Sequence, residues 1–237
     1  MYTINTLYST EEIRALKKNG TWEVITLPRG KKPMSCKWVF TVKSKTDGTI
    51  ERYKACLVAK EFTQAYGIDY TETFAPITKL NTIRLLLSLA TNLDWPLHQF
   101  DIKNAFLNGE LKEEVFMTLP PGFCKEKEET RVCKLKKSLY GLKQSPRAWF
   151  DRFARVIKNQ GYQQGQLDHT MFFKQSNDGR MTILIVYVDD IILTRDNIGE
   201  VERLKVLATK FEVKDLGQMW YFLGMKVTRS RKGISIS

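Results

Sequence analysis

The stretch Thr182-Ile-Leu-Ile-Val-Tyr-Val-Asp-Asp-Ile-Ile-Leu-Thr194 decides the fold, because two apolar runs flank the adjacent acids Asp189 and Asp190. Both runs are rich in β-branched residues and too short for typical helices, so they predict two buried strands joined by a tight acidic turn. Adjacent carboxylates repel, and each raises the free-energy cost of ionising the other. The pair therefore indicates either a site for a hard divalent cation or a turn solvated by water, since Asp is common in turns.

Composition limits the class of protein. The chain has 237 residues, of which 43% are hydrophobic, enough to bury a sizeable core in one large or two small units. No apolar run reaches the roughly 20 residues that span a bilayer, and no secretory signal is apparent, so we expect an intracellular protein without a membrane partner. The four cysteines lack Cys-x-x-Cys spacing, which favours reduced, structural cysteines over a zinc site.

The net charge of +12 is unevenly distributed. Residues 1–60 hold 12 basic and 5 acidic side chains, residues 61–120 hold 4 and 8, and residues 121–180 hold 13 and 6. Two basic blocks thus flank an acidic block that contains Asp101. This pattern suits a polyanion bound beside acidic metal ligands, although lysines that only solubilise the surface would give the same totals.

Local patterns predict a mixed α/β or α+β fold with one continuous core and a hairpin extension. A short peripheral helix should begin at Ser9 or Thr10 and end before Gly20, and Asp47-Gly48 should join two strands of a basic hairpin. Charged residues 125–129 should form a loop. Further helices are predicted over 81–93, 145–160 and 197–211, a turn or short helix over 104–106, and strands over 96–102, 219–227 and 234–237.

Phosphoryl transfer provides a use for acids held on strands. Metal ions in such reactions bridge the reacting oxygens and neutralise developing charge. Asp101 ends one predicted strand, and Asp189 and Asp190 lie on a separate hairpin, so three carboxylates from neighbouring strands would cage two Mg²⁺ ions. The alternative for Asp101 is a carboxylate that caps a helix.

Several ordered motifs resemble the reverse transcriptase domain of copia-type long-terminal-repeat retrotransposons. They cover residues 21–237 and are Lys37-Trp-Val-Phe40, Gly67-Ile-Asp-Tyr70, Glu72-Thr-Phe-Ala-Pro76, Ala105-Phe-Leu-Asn-Gly109, Lys137-Ser-Leu-Tyr-Gly-Leu-Lys-Gln-Ser-Pro-Arg147, Tyr187-Val-Asp-Asp190, Asp215-Leu-Gly217 and Tyr221-Phe-Leu-Gly224.

The resemblance implies the fingers and palm of a right-hand polymerase, with an antiparallel palm sheet packed on helices and the thumb absent or truncated. It divides the chain into an N-terminal helical extension (1–20), mainly fingers (21–95) and mainly palm (96–237, with fingers segments at about 107–147). The implied activity is RNA-directed DNA synthesis with Mg²⁺, or Mn²⁺ in its place. The implied partners are an RNA or DNA template with primer, deoxynucleoside triphosphates, and a further Pol chain or a second copy.

The resemblance also assigns roles to particular residues. Asp101, Asp189 and Asp190 match the metal-binding catalytic triad. Phe106 matches the residue beneath the sugar that disfavours a 2′-hydroxyl, although plain core packing would also explain it. The remaining matches are the nucleotide and template pocket at Tyr140, Gly141 and Lys143, and the hairpin that grips the primer terminus at Leu223 and Gly224. A strand glycine without this role is the alternative for Gly224.

The basic hairpin resembles the fingers that cover template and triphosphate; its cations are Lys37, Lys43, Lys45, Arg52 and Lys54. The chain departs from the family at Cys56, where an Arg is usual, and at Glu61, where a Gly is usual. Cys offers no cation to a phosphate, so the departure predicts weakened nucleotide binding. We therefore expect a polymerase fragment with reduced or no activity, or else a non-catalytic remnant that binds nucleic acid.

Overall fold

The computed structural model describes residues 2–45, 47–123, 130–195, 207–222, 224–230 and 233–236. The chain forms two compact units, the first from Met1–Phe74 and Phe106–Trp149 and the second from Ala75–Ala105 and Phe150–Ser237. Each unit has its own apolar cluster, so the expectation of one continuous core is wrong. Leu57 belongs to the cluster of the first unit, whereas Ile185 and Ile192 belong to the cluster of the second unit.

The secondary structure mixes helices with antiparallel strands. The helices are α1 (Tyr2–Lys18), α2 (Leu80–Asn92) and α3 (Ser145–Asn159), with short 3₁₀ helices at Glu61–Thr63 and Ala105–Asn108. The strands are β1 (Trp22–Thr26), β2 (Cys36–Ser44), β3 (Ile50–Ala59), β4 (Leu97–Ile102), β5 (Glu110–Thr118), β6 (Arg131–Lys137), β7 (Gln163–Gln164), β8 (Met171–Gln175), β9 (Met181–Tyr187), β10 (Asp190–Arg195), β11 (Val213–Gln218), β12 (Tyr221–Phe222), β13 (Met225–Ser230) and β14 (Gly233–Ile236).

Two predictions fall largely outside the described residues. Residues 207–210 are helical, but residues 197–206 of the helix predicted over 197–211 lie outside the described residues. The loop predicted at 125–129 is outside as well. No helix in the described ranges is long and apolar enough to cross a membrane.

The first unit contains a three-stranded sheet in the order β1-β6-β5 and the separate hairpin β2-β3. The predicted turn is confirmed: Gly48 has a φ of 82°, and Oδ1 of Asp47 accepts a hydrogen bond of 2.9 Å from the Thr49 amide. Helix α1 is longer than predicted and is not peripheral, because Leu16 is only 1% exposed and shares a cluster with Leu57.

The second unit is built on a six-stranded antiparallel sheet in the order β11-β4-β10-β9-β8-β7, with a smaller sheet β12-β13-β14. The apolar face of α2 packs on the six-stranded sheet, since Ile83 and Leu87 share a cluster with Ile185 of β9 and Ile192 of β10. These sheets and helices confirm the predicted α+β class. The residues predicted as strand over 219–227 contain β12 and the start of β13, which pair as a hairpin with Gly224 in its turn, as the resemblance implied; β11 was not predicted.

Helix α3 lies where it was predicted, and Phe153 and Ile157 are buried. At its N-terminus the hydroxyl of Ser145 donates to the carbonyl of Leu139 at 2.7 Å. Ser145 is the first residue of the helix, and this bond ties it to the preceding loop.

Candidate active site

The acidic turn is a two-residue β-hairpin. Tyr187 pairs with Asp190 across β9 and β10, which leaves Val188 and Asp189 as the turn. Val188 has a φ of 55°, and Asp189 is not among the residues with positive φ. A positive φ at the first turn residue alone is the φ pattern of a type II′ turn. A β-branched residue with positive φ is uncommon and strained, so the turn stores strain beside the acids.

The third acid lies on the neighbouring strand. Asp101 is the direct cross-strand partner of Asp190 in the β4–β10 ladder. The amide of Ile102 also donates to the carbonyl of Asp189 at 2.8 Å, which fixes the turn against the end of β4. Since directly opposed residues share a face of the sheet, the register brings Asp101 and Asp190 together, with Asp189 next to them.

Electrostatics at Asp190 reflect this crowding. Burial raises the pKa of Asp190 above its ordinary value, and the negative charges of Asp189 and Asp101 raise it further. A hydrogen bond of 3.0 Å from Nε2 of Gln99 to Oδ1 of Asp190 opposes this effect. A cation close to the three acids would relieve the same repulsion.

The carboxylates of Asp101, Asp189 and Asp190 are chemically suited to a hard divalent cation, because such a cation prefers carboxylate oxygens as ligands. In the described ranges, however, no three or more His, Cys, Asp or Glu side chains form a group able to hold a metal ion. Backbone register thus assembles the acids, and the predicted metal cage remains a prediction.

Sequence reasoning missed a cation beside the acids. Lys214 on β11 is the cross-strand partner of Asp101 on the side away from Asp190, so all three residues form one row across the sheet. Lys214 is exposed. To find Lys214 from the sequence, one would have had to predict strand β11. Gly217 interrupts the alternating pattern that predicts a strand.

Four of the five predicted cations of the basic hairpin lie on one face, and Lys45 follows the end of β2. Lys43 pairs with Arg52 and Thr41 with Lys54, while Lys37 pairs with Val58. Because side chains alternate along a strand and directly opposed residues share a face, Lys37, Lys43, Arg52 and Lys54 project from the same side of the hairpin. This surface is called the basic face below.

Cys56 belongs to the basic face, since it follows Lys54 by two residues and pairs with Val39. Burial raises the pKa of the half-buried Cys56 thiol, with Lys54 lowering it and Glu12 of α1 raising it. The thiol therefore stays neutral, and the position contributes no cation.

Glu61, the second departure, causes no backbone strain. It is exposed in a short 3₁₀ helix and is not among the residues with positive φ, so this position does not require glycine.

The predicted pocket residues Phe106 and Tyr140 lie in contact, with ring centroids 5.6 Å apart in an edge-to-face arrangement. Lys54 lies 6.0 Å from the centroid of the Tyr140 ring. Gly141 has a φ of 84°, and a Cβ there would lie 2.2 Å from the carbonyl oxygen of Ala59. Glycine is therefore needed for close packing of this loop on β3.

Lys143 is held by neighbours that the sequence did not reveal. Its ammonium lies 4.9 Å from the ring centroid of Tyr70 and donates to the Tyr70 hydroxyl at 3.3 Å. Its amide donates to the side chain of Gln64 at 2.9 Å, and Gln64 in turn donates to Gln144 at 2.9 Å. Buried amides thus fasten the segment before Tyr70 to the loop of Lys143.

The predicted primer-grip residues are only partly described. Leu223 lies outside the described residues. Gly224 has a φ of 80° in the turn between β12 and β13, and no atom lies within 4 Å of a Cβ built on it. The turn accounts for this glycine, and its contact with a primer stays a prediction.

Comparison with known proteins identifies the class. The sequence profile of the family described as reverse transcriptase (RNA-dependent DNA polymerase) matches residues 19–237. The chain therefore belongs to the reverse transcriptase family.

The relatives narrow this to transposons. The chain is 45% identical over 222 residues to the retrovirus-related Pol polyprotein from transposon TNT 1-94 of Nicotiana tabacum, covering 93% of this chain and 17% of that protein. It is 40% identical over 229 residues to the Pol polyprotein from transposon RE2 of Arabidopsis thaliana, covering 95% and 16%. These similarities confirm the predicted copia-type reverse transcriptase domain, and the chain spans about a sixth of the length of these relatives.

Among solved structures, the foamy viral protease-reverse transcriptase in complex with double-stranded DNA aligns over 99% of this chain and 35% of its own. Its TM-score is 0.45 at 16% sequence identity.

Proposed function

We propose that this chain is the polymerase domain of a retrotransposon Pol protein and that it catalyses RNA-directed DNA synthesis. The observation that carries the proposal is the convergence of Asp101, Asp189 and Asp190 at one end of the central strands of a single sheet. Each round would add one deoxynucleotide to a primer paired with a template.

The proposed reaction is nucleotidyl transfer. The primer 3′-hydroxyl oxygen bonds to the α-phosphorus of the triphosphate, the bond to the pyrophosphate oxygen breaks, and the hydroxyl proton is released to water. Asp101, Asp189 and Asp190 would hold Mg²⁺, or Mn²⁺ in its place, which when bound neutralises the charge that develops on the reacting oxygens. Gln99 keeps the Asp190 carboxylate oriented through its bond to Oδ1.

The basic face supplies the proposed contacts to triphosphate and template, because Lys43, Arg52 and Lys54 are neighbours on one side of the hairpin and Lys37 lies further along the same side. Phe106 and Tyr140 form the proposed platform beneath the sugar. Tyr70 keeps the ammonium of Lys143 in a defined place for a phosphate. A further Pol chain or a second copy is the proposed protein partner.

A second candidate is a nucleic-acid-binding remnant without turnover. Two observations favour it: Cys56 leaves the basic face without a cation at that position, and the acids do not form a metal-holding group in the described residues. This candidate predicts binding that weakens with salt, as counterion release requires, and no synthesis.

Primer extension on an RNA template with deoxynucleotides and Mg²⁺ separates the two candidates. The variants are Asp189→Asn and, as a matched control, Asp178→Asn, whose carboxylate is exposed in the turn between β8 and β9. Synthesis by the chain and by the Asp178 variant, but not by the Asp189 variant, supports the polymerase. Template binding without extension supports the remnant, and extension that survives Asp189→Asn overturns the role of the acids.

A further inference from the structure

Val186 sits at the base of the acidic hairpin, three residues before Asp189, and is buried. Its amide donates to the carbonyl of Thr170 at 3.0 Å, and its carbonyl accepts from the hydroxyl of Thr78 at 2.9 Å. Strand β8 begins only at Met171, so no strand residue satisfies this carbonyl. A buried backbone carbonyl without a partner is costly, which makes the Thr78 hydroxyl a substitute for the missing strand.

Both partners of Val186 are organised by one carboxylate. Oδ1 of Asp168 accepts from the amide of Thr170 at 2.9 Å and from its hydroxyl at 2.6 Å. Oδ2 accepts from the amide of Lys79 at 3.0 Å and from the hydroxyl of Thr82 at 2.6 Å. One oxygen thus orients the Thr170 carbonyl, and the other anchors the residue next to Thr78.

Asp168 also accepts hydrogen bonds at the N-terminus of α2, from the Lys79 amide and the Thr82 hydroxyl. Lys79 is the N-cap of α2 and has no side chain that could bond the first turn. Asp168 accepts from its amide, and a carboxylate at a helix N-terminus is favoured by the helix dipole. The single buried acid therefore joins the start of α2, the segment before β8 and, through them, β9.

The protonation state of Asp168 suits this role. Asp168 is only 4% exposed, and burial acts to raise its pKa. The hydrogen bonds from Thr170, Thr82 and the Lys79 amide outweigh burial, so the pKa lies below its ordinary value. An ionised carboxylate can accept all four bonds, whereas an amide in its place cannot.

We propose that Asp168 is a positioning residue for the catalytic hairpin, acting through Thr170 and Thr78 on both backbone groups of Val186. Its effect on catalysis rests on the proposed polymerase function, but its effect on the hairpin does not. Loss of the carboxylate should free the base of β9 and leave the turn at Val188 and Asp189 less well fixed.

Hydrogen exchange measured by mass spectrometry on the full chain tests the structural part without any need for activity. In Asp168→Asn, amide exchange in a peptide covering 183–190 should become about tenfold faster, because bonds that hold Val186 are lost. Peptides from β1, β5 and β6 in the first unit should exchange as before. The matched control Asp178→Asn lies in the turn between β8 and β9, before the end of β9 that is remote from the acids, and should leave 183–190 unchanged.

Thr78 keeps the proposal testable if Asp168→Asn does not fold. Thr78→Val removes the donor to the Val186 carbonyl and should speed exchange over 183–190, whereas Thr78→Ser retains the hydroxyl and should restore the slow rate. If the chain extends primers, Thr78→Val should lower kcat about tenfold and change KM for the nucleotide less than threefold, since substrate contacts are untouched.

Two results would overturn the proposal. One is a folded Asp168→Asn variant whose exchange over 183–190 equals that of the parent chain. The other is an equal acceleration throughout the second unit, since this would make Asp168 a residue of general stability. A chain that shows the local exchange effect but no synthesis would refute the polymerase function alone.

Discussion

Replacing Cys56 by arginine should tighten the binding of deoxynucleoside triphosphates. Cys56 lies on the basic face, on the same side of the hairpin as Lys54 and Arg52, and its thiol is neutral. An arginine there would add a fixed positive charge and a planar fork of donors that matches a phosphate. The side chain would extend from a strand that is already held in place by pairing with β2.

The size of the effect follows from the surroundings of Cys56. A hydrogen bond to a charged group contributes about 1.5 to 3 kcal/mol. The position is half-buried, so water screens part of the attraction between the guanidinium and the phosphate. Glu12 is close enough to affect the pKa of the thiol and would compete with the phosphate for the guanidinium. We therefore expect about 1 to 2 kcal/mol, which corresponds to roughly 5- to 30-fold tighter binding.

The assay is calorimetric titration of the full chain with deoxyguanosine triphosphate and Mg²⁺. Cys56→Ser is the control without charge, and Cys56→Lys carries the charge without the fork. The Cys56→Arg chain should bind most tightly, the Lys variant should be intermediate, and adding Glu12→Gln to the arginine variant should tighten binding further. Equal affinity in the Arg and Ser variants would show that the basic face does not receive the triphosphate.

Three further predictions concern stability. Gly141→Ala should lower the free energy of unfolding in urea by about 2 kcal/mol or more, because its Cβ would meet the Ala59 carbonyl at 2.2 Å. Gly48→Ala, at a similar φ but with open space around it, should lower the free energy of unfolding by about 1 kcal/mol, and equal losses in the two variants would contradict the packing argument. Asp190→Asn should raise the free energy of unfolding at pH 7, because the raised pKa of Asp190 means that its ionised form is penalised in the folded chain. This gain should shrink as the pH falls through the raised pKa and vanish below the ordinary carboxyl value of 3.8, where the carboxyl is protonated in both the folded and the unfolded chain; a gain independent of pH would refute it. Addition of Mg²⁺ should raise the Tm of the parent chain, measured by calorimetry, because a ligand that binds only the folded state stabilises it. The Tm of Asp189→Asn should not change, and equal shifts in the two chains would show that the ion binds elsewhere.

The elements with strong local signals could be predicted from the sequence. The basic hairpin was confirmed because Asp47-Gly48 forms its own turn, and the acidic hairpin because two β-branched runs flank a two-residue turn. Helix α2 was predicted because its buried residues recur at helical spacing. In these cases the determining contacts lie within a few residues of one another.

The features that were missed depend on distant pairing. Lys214 lies beside Asp101 only because β11 pairs with β4, and neither strand carries a pattern that specifies its partner. Likewise, Asp168 precedes a strand by a few residues and looks like an ordinary loop acid, yet it caps a helix far away in the chain. Strand register and capping by a distant side chain are set by tertiary packing, which local periodicity does not encode.

The strain at Val188 connects these distant contacts with the candidate chemistry. A non-glycine residue in a left-handed conformation costs on the order of 1 to 3 kcal/mol and persists only where its surroundings over-determine it. Here the turn is fixed on one side by the bond from the Ile102 amide to the Asp189 carbonyl, and at its base by the two bonds to Val186. If those bonds were absent, the turn would be free to relax, and Asp189 would lose its defined place next to Asp101. The placing of the acids therefore depends on Thr78, Asp168 and Thr170 as much as on the acidic motif itself.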